Sequence, residues 1–541
     1  MSHTSNPFDL KWYWLFLLGA APCLLLAVYT QHAWEDWYIT YRAGKNLAMG
    51  YGLVFEPGQT LHTFTSPVNV LLPALLSWLT GNDTAVLWLY RVAGACLLGS
   101  TVLILARVAK PYFRPSAWEF LLLLFVVDIK VMDYTINGQE AAFLVFFLSL
   151  TLLALLEKRT VLLGVAWAGL MWSRPDSVVY IAATGAAYLL SECLQDRSRW
   201  RAVFAFWVRA GALAALLYSP WIIWTTWYYG TPIPHTVIAK GLNAGERDAL
   251  VLLGQFFAFP VYSVMNVGAL NDLFVPANAF MGGWPPVLET ISKLLAWPAM
   301  MAWLLPRVSP LLRISSFGLY VGLFYLTHVT PFPYAWYFPF CTVLAVIALA
   351  GLFHAACEYI QGRQWPMWPL KATAAACVIF SLSLTLAAAW QLRMQQSIIE
   401  DGLRKPMGLW LKQQANGERQ TVFVECLGYV GFFSGLKMYD YPGMSSPEMV
   451  AARRAHGEEW DVLIRELKPD WLVLRRSEAR RLYTIDQAIA DGLYRLVAVF
   501  DQSEAVATIK FLPGRGYLEY DQTFVVFKRA VDPNDPSWHK E

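Results

Sequence analysis

The sequence predicts an α-helical polytopic membrane protein with about eleven transmembrane helices, each near spanning length, and a C-terminal soluble α/β domain. Three observations predict it. Of the 541 residues, 57% are hydrophobic and only 15% are charged, against about 25% charged in soluble domains. Long apolar runs recur, near 12–30, 85–106, 117–132, 140–156, 160–173, 177–192, 204–226, 287–305, 314–329, 337–355 and 372–391. Beyond residue 391 the composition turns polar, and short strand-like runs alternate with charged helix-like stretches.

The first run, 12–30, is as long as a full span and lacks a small-residue cleavage pattern. It reads as a retained helix rather than a signal peptide. The 68–79 run contains Pro73 and is too short to span. It reads as a helix that lies in the interface or re-enters, capped by the 62–67 segment. The 249–269 run is broken by Gly254 and Pro260 and stays open between spanning, re-entrant and interfacial readings.

Basic residues orient the bundle. With the N-terminus cytoplasmic, the inner turns carry Arg107, Lys110 and Arg114, then Lys158 and Arg159, then Arg197, Arg199 and Arg201, then Arg307 and Arg313, then Arg363 and Lys371. The turns at 35–36, 133–140, 174–176, 228–240 and 330–337 then share the outer side. These hold the unusual polar clusters, and one-sided sorting of that kind marks a site. An odd number of spans puts the tail outside too. The resulting division is a membrane module at 1–391, with outer loops at 31–84 and 227–286, and an outer α/β domain at 392–541. Tail strands are expected at 421–424, 471–474, 496–500 and 523–527, with helix at 447–468.

Other classes are excluded. A net charge of +3 without a basic tract argues against a nucleic-acid partner. The seven cysteines show no CxxC spacing, and only Cys426 falls in the tail, so neither a zinc finger nor a disulfide scaffold is supported.

The chain is organised around Trp34-Glu35-Asp36-Trp37, with Arg42 and Lys45 following. Ionisable groups at a membrane mouth commonly mark a substrate or ion site. The competing reading is a solvated loop with interfacial aromatic anchors. Asp36 is the candidate general base, able to take a proton from an attacking hydroxyl. Glu35 would hold an acceptor hydroxyl or a metal. Together the two acids suggest a possible divalent-cation site, although hard cations need more oxygens than two residues supply. Glu140 either caps the helix that follows it or takes part in chemistry. The Arg174 fork suits a phosphate or pairs with Asp176. His235 and Lys240 sit in a Pro-punctuated loop and are phosphate candidates, while a lone loop histidine is more often structural. Trp336 and Tyr337 belong either to an aromatic belt or to a stacking surface for a sugar or a polyprenyl chain. Arg91, inside an apolar run, either snorkels or pairs with an acid.

Several of these residues form a pattern. Glu35-Asp36-x-x-Ile39-Thr40-Tyr41-Arg42, then Asn46-Leu47-Ala48-x-Gly50-x-Gly52-Leu53-Val54-Phe55-x-Pro57-Gly58, then Thr65-Ser66-Pro67, resembles the first outer loop of GT-C glycosyltransferases, the AftB-like arabinofuranosyltransferases in particular. Gly138-x-Glu140-x-Ala142, Arg174-Pro175-Asp176, Tyr229-Gly230-x-x-x-Pro234-x-Thr236-x-x-Ala239-Lys240 and the aromatic 334–339 segment extend it. The family often carries Asp-Asp where this chain has Glu-Asp. The resemblance implies a GT-C-like enzyme of the bacterial inner membrane, with a periplasmic or extracellular tail. Its donor would be a polyprenyl-phosphate-linked sugar, arabinofuranose by the likeness to the AftB-like enzymes. Its acceptor would be a glycan, a glycolipid or a surface protein. Asp36 would be the catalytic base and Glu35 its partner; Arg174, His235 and Lys240 would contact the donor phosphate. The alternatives are a transporter or flippase of lipid-linked sugars, which should show internal repeats and polar, broken helices at mid-membrane, and an envelope scaffold that binds through its tail. The chain shows no repeat.

Overall fold

The computed structural model of the chain describes residues 12–242, 248–485 and 492–538. The first eleven residues and 243–247, which fall within the predicted membrane module and its second outer loop, lie outside the described residues.

The membrane part runs through α1 (Trp12–Thr30), α2 (Glu35–Ala48), α3 (Pro67–Thr80), α4 (Asp83–Ala109), α5 (Pro115–Val126), α6 (Ile129–Ile136), α7 (Ala141–Leu156), α8 (Thr160–Ser173), α9 (Val178–Gln195), α10 (Trp200–Tyr229), α11 (His235–Gly241), α12 (Ala249–Met265), α13 (Ala269–Asp272), α14 (Val287–Met301), α15 (Pro310–Phe324), α16 (Phe338–Gly362) and α17 (Trp368–Met394). Among the described residues six helices are long and apolar enough to cross a membrane, at Trp12–Thr30, Asp83–Ala109, Pro175–Gln195, Arg197–Tyr229, Ala335–Gly362 and Trp368–Ala415. Several other predicted spans are shorter apolar helices, α7 and α8 among them. The 117–132 run is two helices: the Asp128 carboxylate accepts from the Val131 amide at 2.9 Å and starts α6 anew. The 287–305 run gives only 15 residues of α-helix and carries Glu289 and Lys293. The 314–329 run passes from α15 into a π-helical turn at Tyr325–Val329.

Close helix crossings use small residues, as membrane bundles do. A Cβ on Gly99 would meet the Phe16 carbonyl at 2.7 Å, which fixes how closely α4 approaches α1. The 68–79 stretch is α3, capped by Ser66, whose side chain accepts from the Asn69 amide, and it ends at Gly81. Arg91 neither snorkels nor meets an acid. Its guanidinium donates to the carbonyls of Gln31, His32 and Ile136, the unsatisfied ends of α1 and α6.

The tail is an α/β domain seated on one end of the bundle. Its sheet comprises β1 (Thr421–Val424), β2 (Lys437–Asp440), β3 (Trp471–Arg475), β4 (Tyr494–Asp501) and β5 (Thr523–Arg529), in the order β2-β1-β3-β5-β4. The β2-β1-β3 part is parallel, while β5 and β4 are antiparallel. Helices α18 (Lys405–Ala415), α19 (Gly428–Ser434), α20 (Pro447–His456), α21 (Trp460–Leu467), α22 (Arg476–Ile485), α23 (Ser503–Thr508) and α24 (Arg515–Asp521) complete it. The four predicted strands are present within a few residues. β2 was not predicted, because Lys-Met-Tyr-Asp is short and polar, as suits an edge strand. The predicted 447–468 helix is two helices, split at Gly457, whose φ is +85°.

Module and tail are continuous where a boundary was expected at 391/392. α17 passes through a ten-residue π-helix, Gln395–Arg404, into α18 without leaving helical geometry. Such π segments concentrate at functional positions.

Candidate active site at the start of α2

Five turns predicted to share a side do meet, around the N-terminus of α2. The Trp34 amide donates to the Asn137 carbonyl at 2.8 Å. His32 Nδ1 lies 3.1 Å from Asp133 Oδ1. Arg174 reaches Glu140 at 2.8 Å. The Lys240 ammonium lies over the Tyr334 ring at 4.7 Å, and the Trp336 ring packs against Trp34. At the opposite end three of the predicted basic turns hold ion pairs: Arg107 pairs with Glu157, and both Lys158 and Arg199 pair with Glu192.

The two adjacent acids have separate fates. Glu35 is a peg between module and tail. One oxygen accepts from the Gly428 amide at 3.0 Å, and the other lies 3.3 Å from Arg404. A Cβ on Gly428 would come within 2.1 Å of the Glu35 carbonyl, so only glycine permits this approach. Burial pushes the Glu35 carboxyl up to about 8; Arg404 pulls it down, while Glu400, Glu425 and Asp36 add to the rise. This differs from the expected hold on a metal or an acceptor. Both Glu35 oxygens are engaged by N–H donors, and among the described residues no group of three or more His, Cys, Asp or Glu side chains is placed to hold a metal ion. Glu35 and Asp36 therefore do not fit a divalent cation.

The Asp36 carboxylate has neither a hydrogen bond nor an ion pair among the described residues. Burial pushes its carboxyl up to about 6, with Lys240 opposing the rise and Glu140 and Glu425 adding to it. Each neighbouring acid is engaged: Asp133 by His32, Glu140 and Asp176 by Arg174, and Glu425 by Arg475. The aromatic residues flanking the pair are not interfacial anchors. Trp34 and Trp37 are buried, and Trp37 stacks on Tyr41. Gly138, with φ +99°, lies against Trp37, where a Cβ would come within 2.6 Å of the ring.

The other predicted site residues divide sharply. Lys240 stands on an aromatic wall made of Tyr334 stacked on Trp336, with centroids 4.6 Å apart. It has no acidic partner within ion-pair distance among the described residues. Arg174 is already neutralised: its fork takes both oxygens of Asp176 at 2.9 Å as well as Glu140, and it lies over Tyr337 at 4.4 Å. Arg174, Asp176 and Tyr337 wall a small cleft with Tyr180 and Tyr325. Glu140 does not cap α7 with its side chain. Arg42 belongs to the domain junction, donating to the carbonyls of Gly431, Gly435 and Leu436 and pairing with Glu56. These carbonyls close α19, and a cation there is favoured by the helix dipole. Lys45 pairs with Asp83 at 2.7 Å. His235 faces the 440–446 loop of the tail, and burial holds its imidazole below the ordinary histidine range. Arg42 and Lys45 are thus engaged by other partners, and His235 is set against the tail loop.

Sequence reasoning missed the tail's contribution. Arg404 binds Glu400 and Asp521 besides Glu35. Arg475 binds Asp521, Glu425 and Glu478. This buried chain of ions joins the π-helix to the ends of β1 and β3. Tyr134, whose hydroxyl has no hydrogen-bond partner among the described residues, was also missed.

Known proteins share this architecture. ArnT from Cupriavidus metallidurans, in a crystal structure bound to undecaprenyl phosphate, matches with a TM-score of 0.51 and 12% identity over 97% of this chain and 100% of that one. Its apo state matches with a TM-score of 0.51 and 11% identity over 95% and 97%. The Archaeoglobus fulgidus oligosaccharyltransferase, tethered by a disulfide to an acceptor peptide containing the NVT sequon, matches with 0.52 and 12% over 88% of this chain and 71% of that one. The chain has the GT-C fold. A family model described as a domain of unknown function, DUF8728, matches residues 390–527, the tail. No curated protein matches the chain.

Proposed function

We propose that this GT-C protein is a membrane glycosyltransferase that moves a sugar from a polyprenyl-phosphate donor to an acceptor hydroxyl, with Asp36 as the general base. The observation that carries this reading is the single unpaired acid in a cluster of paired ones. A base needs a free lone pair and a pKa near working pH, and Asp36 combines an unbonded carboxylate with a value of about 6. In the step we envisage, the acceptor oxygen bonds to the donor's anomeric carbon as its proton passes to Asp36. The bond from that carbon to the phosphate oxygen breaks, and the electron pair leaves with the polyprenyl phosphate. Lys240, which has no acidic partner within ion-pair distance among the described residues and whose charge acts on Asp36, would hold that phosphate. Arg174 orders the adjacent turn through Glu140 and Asp176. The undecaprenyl phosphate in the similar ArnT structure supports a lipid carrier here.

The likeness of the first loop to AftB-like enzymes supports arabinofuranose as the sugar, with an acceptor on the outer face of the bacterial inner membrane, where the tail would be periplasmic. The deciding experiment incubates wild-type protein and Asp36→Asn in detergent with polyprenyl-phosphate-linked arabinofuranose and cell-envelope acceptors. Transfer by wild type and its loss in a folded Asp36→Asn variant is the expected result. Undiminished transfer by the variant would remove Asp36 from the chemistry. Lipid movement across vesicles without any transfer would favour a flippase.

A further inference from the structure

The tail's parallel strands carry a second feature, which meets the membrane module beside Glu35. In the order β2-β1-β3, the chain leaves β1 toward β2 on one side, and β3 lies on the other. The carboxyl ends of β1 and β3 therefore flank a topological switch point, the place where open α/β sheets bind ligands. Glu425 directly follows β1, and Arg475 ends β3; the two are paired at 2.7 Å. In this protein the crevice is turned toward α2: Gly428, three residues after Glu425, donates to Glu35. The peg formed by Glu35 fills one side of the crevice. Glu425 stays part-exposed, with 39% of its side chain accessible. Only its Oε2 is bound to Arg475, and no hydrogen bond holds Oε1 among the described residues. Its charge acts on Asp36 and on Tyr334. A third polar group lies near Asp36. Tyr134 is fully buried, packs edge-on against Trp34, and its hydroxyl has no hydrogen-bond partner among the described residues; the charge of Asp36 acts on it.

We propose that Glu425, presented by the tail across the seam from Asp36, positions the acceptor and selects a neutral carbohydrate carrying neighbouring hydroxyls. This rests on the glycosyltransferase reading of Asp36 and names the substrate class of that site. Two carboxylates in one seam are hydrogen-bond acceptors only. They need O–H donors and repel an anionic acceptor. One hydroxyl of a sugar would serve Asp36 and its neighbour would serve Glu425, with Tyr134 supplying a donor to a ring or hydroxyl oxygen. A serine or threonine side chain offers a single hydroxyl and leaves Glu425 unserved.

The test uses full-length protein with polyprenyl-phosphate-linked arabinofuranose. The acceptors are a panel of neutral octyl glycosides, their 6-phosphates and a serine-containing peptide. Transfer onto neutral glycosides is expected. Glu425→Gln should raise the acceptor KM by about tenfold or more, the worth of a charge-assisted hydrogen bond. The effect should fall on the acceptor KM far more than on kcat, because loss of one acceptor contact is uniform binding. A merely structural Glu425 would lower kcat and donor hydrolysis together. Glu425→Asp, which keeps the charge on a shorter arm, should recover part of the KM and serves if the glutamine variant does not fold. An unaltered acceptor KM in Glu425→Gln, or transfer confined to the peptide or the phosphorylated glycosides, would overturn the assignment while leaving Asp36 as base. Absence of all transfer and donor hydrolysis by wild type would overturn both.

Discussion

The two ends of the helix bundle handle charge in opposite ways. At the basic end, Arg107 and Glu157 pair with 62% and 31% of their side chains exposed, and Lys158 reaches Glu192 with 58% exposed. Water screens such pairs, and each is worth little. At the other end, Arg404, Glu400 and Asp521 are almost wholly buried, and Arg174 and Glu140 nearly so. Charges taken out of water must be matched by partners, because an unpaired one is expensive. Against that background Asp36, part-buried and unmatched, is the exception. The comparison teaches that the informative charge at a membrane mouth is the one left without its counterpart, rather than the densest group.

The largest effect should come from that exception. Asp36→Asn should lower kcat by about 10²- to 10⁴-fold, the usual worth of a positioned base, with thermal unfolding in detergent as high as wild type. In wild type, activity should fall as pH drops through about 6, since the carboxylate must be ionised to accept a proton. A flat profile from pH 5 to 8 would break the contrast. Next is the buried network. Arg404→Met leaves Glu35, Glu400 and Asp521 without their shared cation and should cost about 3–5 kcal/mol of stability, seen as a lower unfolding temperature and faster proteolysis of the tail. Lys240→Met should raise the donor KM by about tenfold, the loss of one charged contact. It should also move the acid limb above pH 6, because Lys240 holds the Asp36 carboxyl down.

Glu35→Gln tests the peg. The folded protein holds the Glu35 proton up to about pH 8, whereas the unfolded chain releases it near 4.5. The folded state therefore binds the extra proton in this window, and stability should decline as pH rises through it. The glutamine variant should lose most of that slope, measured as unfolding temperature against pH. The smallest effect belongs to the basic end, where Arg107→Ala should stay within about 1 kcal/mol of wild type.

Much of this was legible in the sequence. Apolar run length and basic turns grouped the polar clusters, and the contacts among Trp34, Asn137, Arg174, Lys240 and Trp336 show them on one end. Four strands were readable from β-branched and aromatic runs. Individual roles were not. Arg42, Lys45 and Arg174 look alike to a reading by charge, and only tertiary placement shows that each already has a counter-charge or a set of carbonyls. Glu425 and Tyr134 carry no local signal, because their position depends on how the tail sits on α2. The Asp128 break was hidden because a single acid in an apolar run does not announce a helix start. Glu400 and Arg404, four residues apart, did offer a helical ion-pair spacing. Its significance needed the π-helix that turns both toward Asp521.

The unbroken helix from Trp368 through the π segment to Ala415 acts as a drive shaft between bilayer and tail. Each residue added to or removed from it rotates everything beyond by about 100° and shifts it by about 1.5 Å. The wide turns at 395–404 thus set the phase at which Gly428 meets Glu35. Excising one residue there would leave both halves intact yet swing the crevice of the tail away from the bundle, separating assembly of the site from folding of its parts.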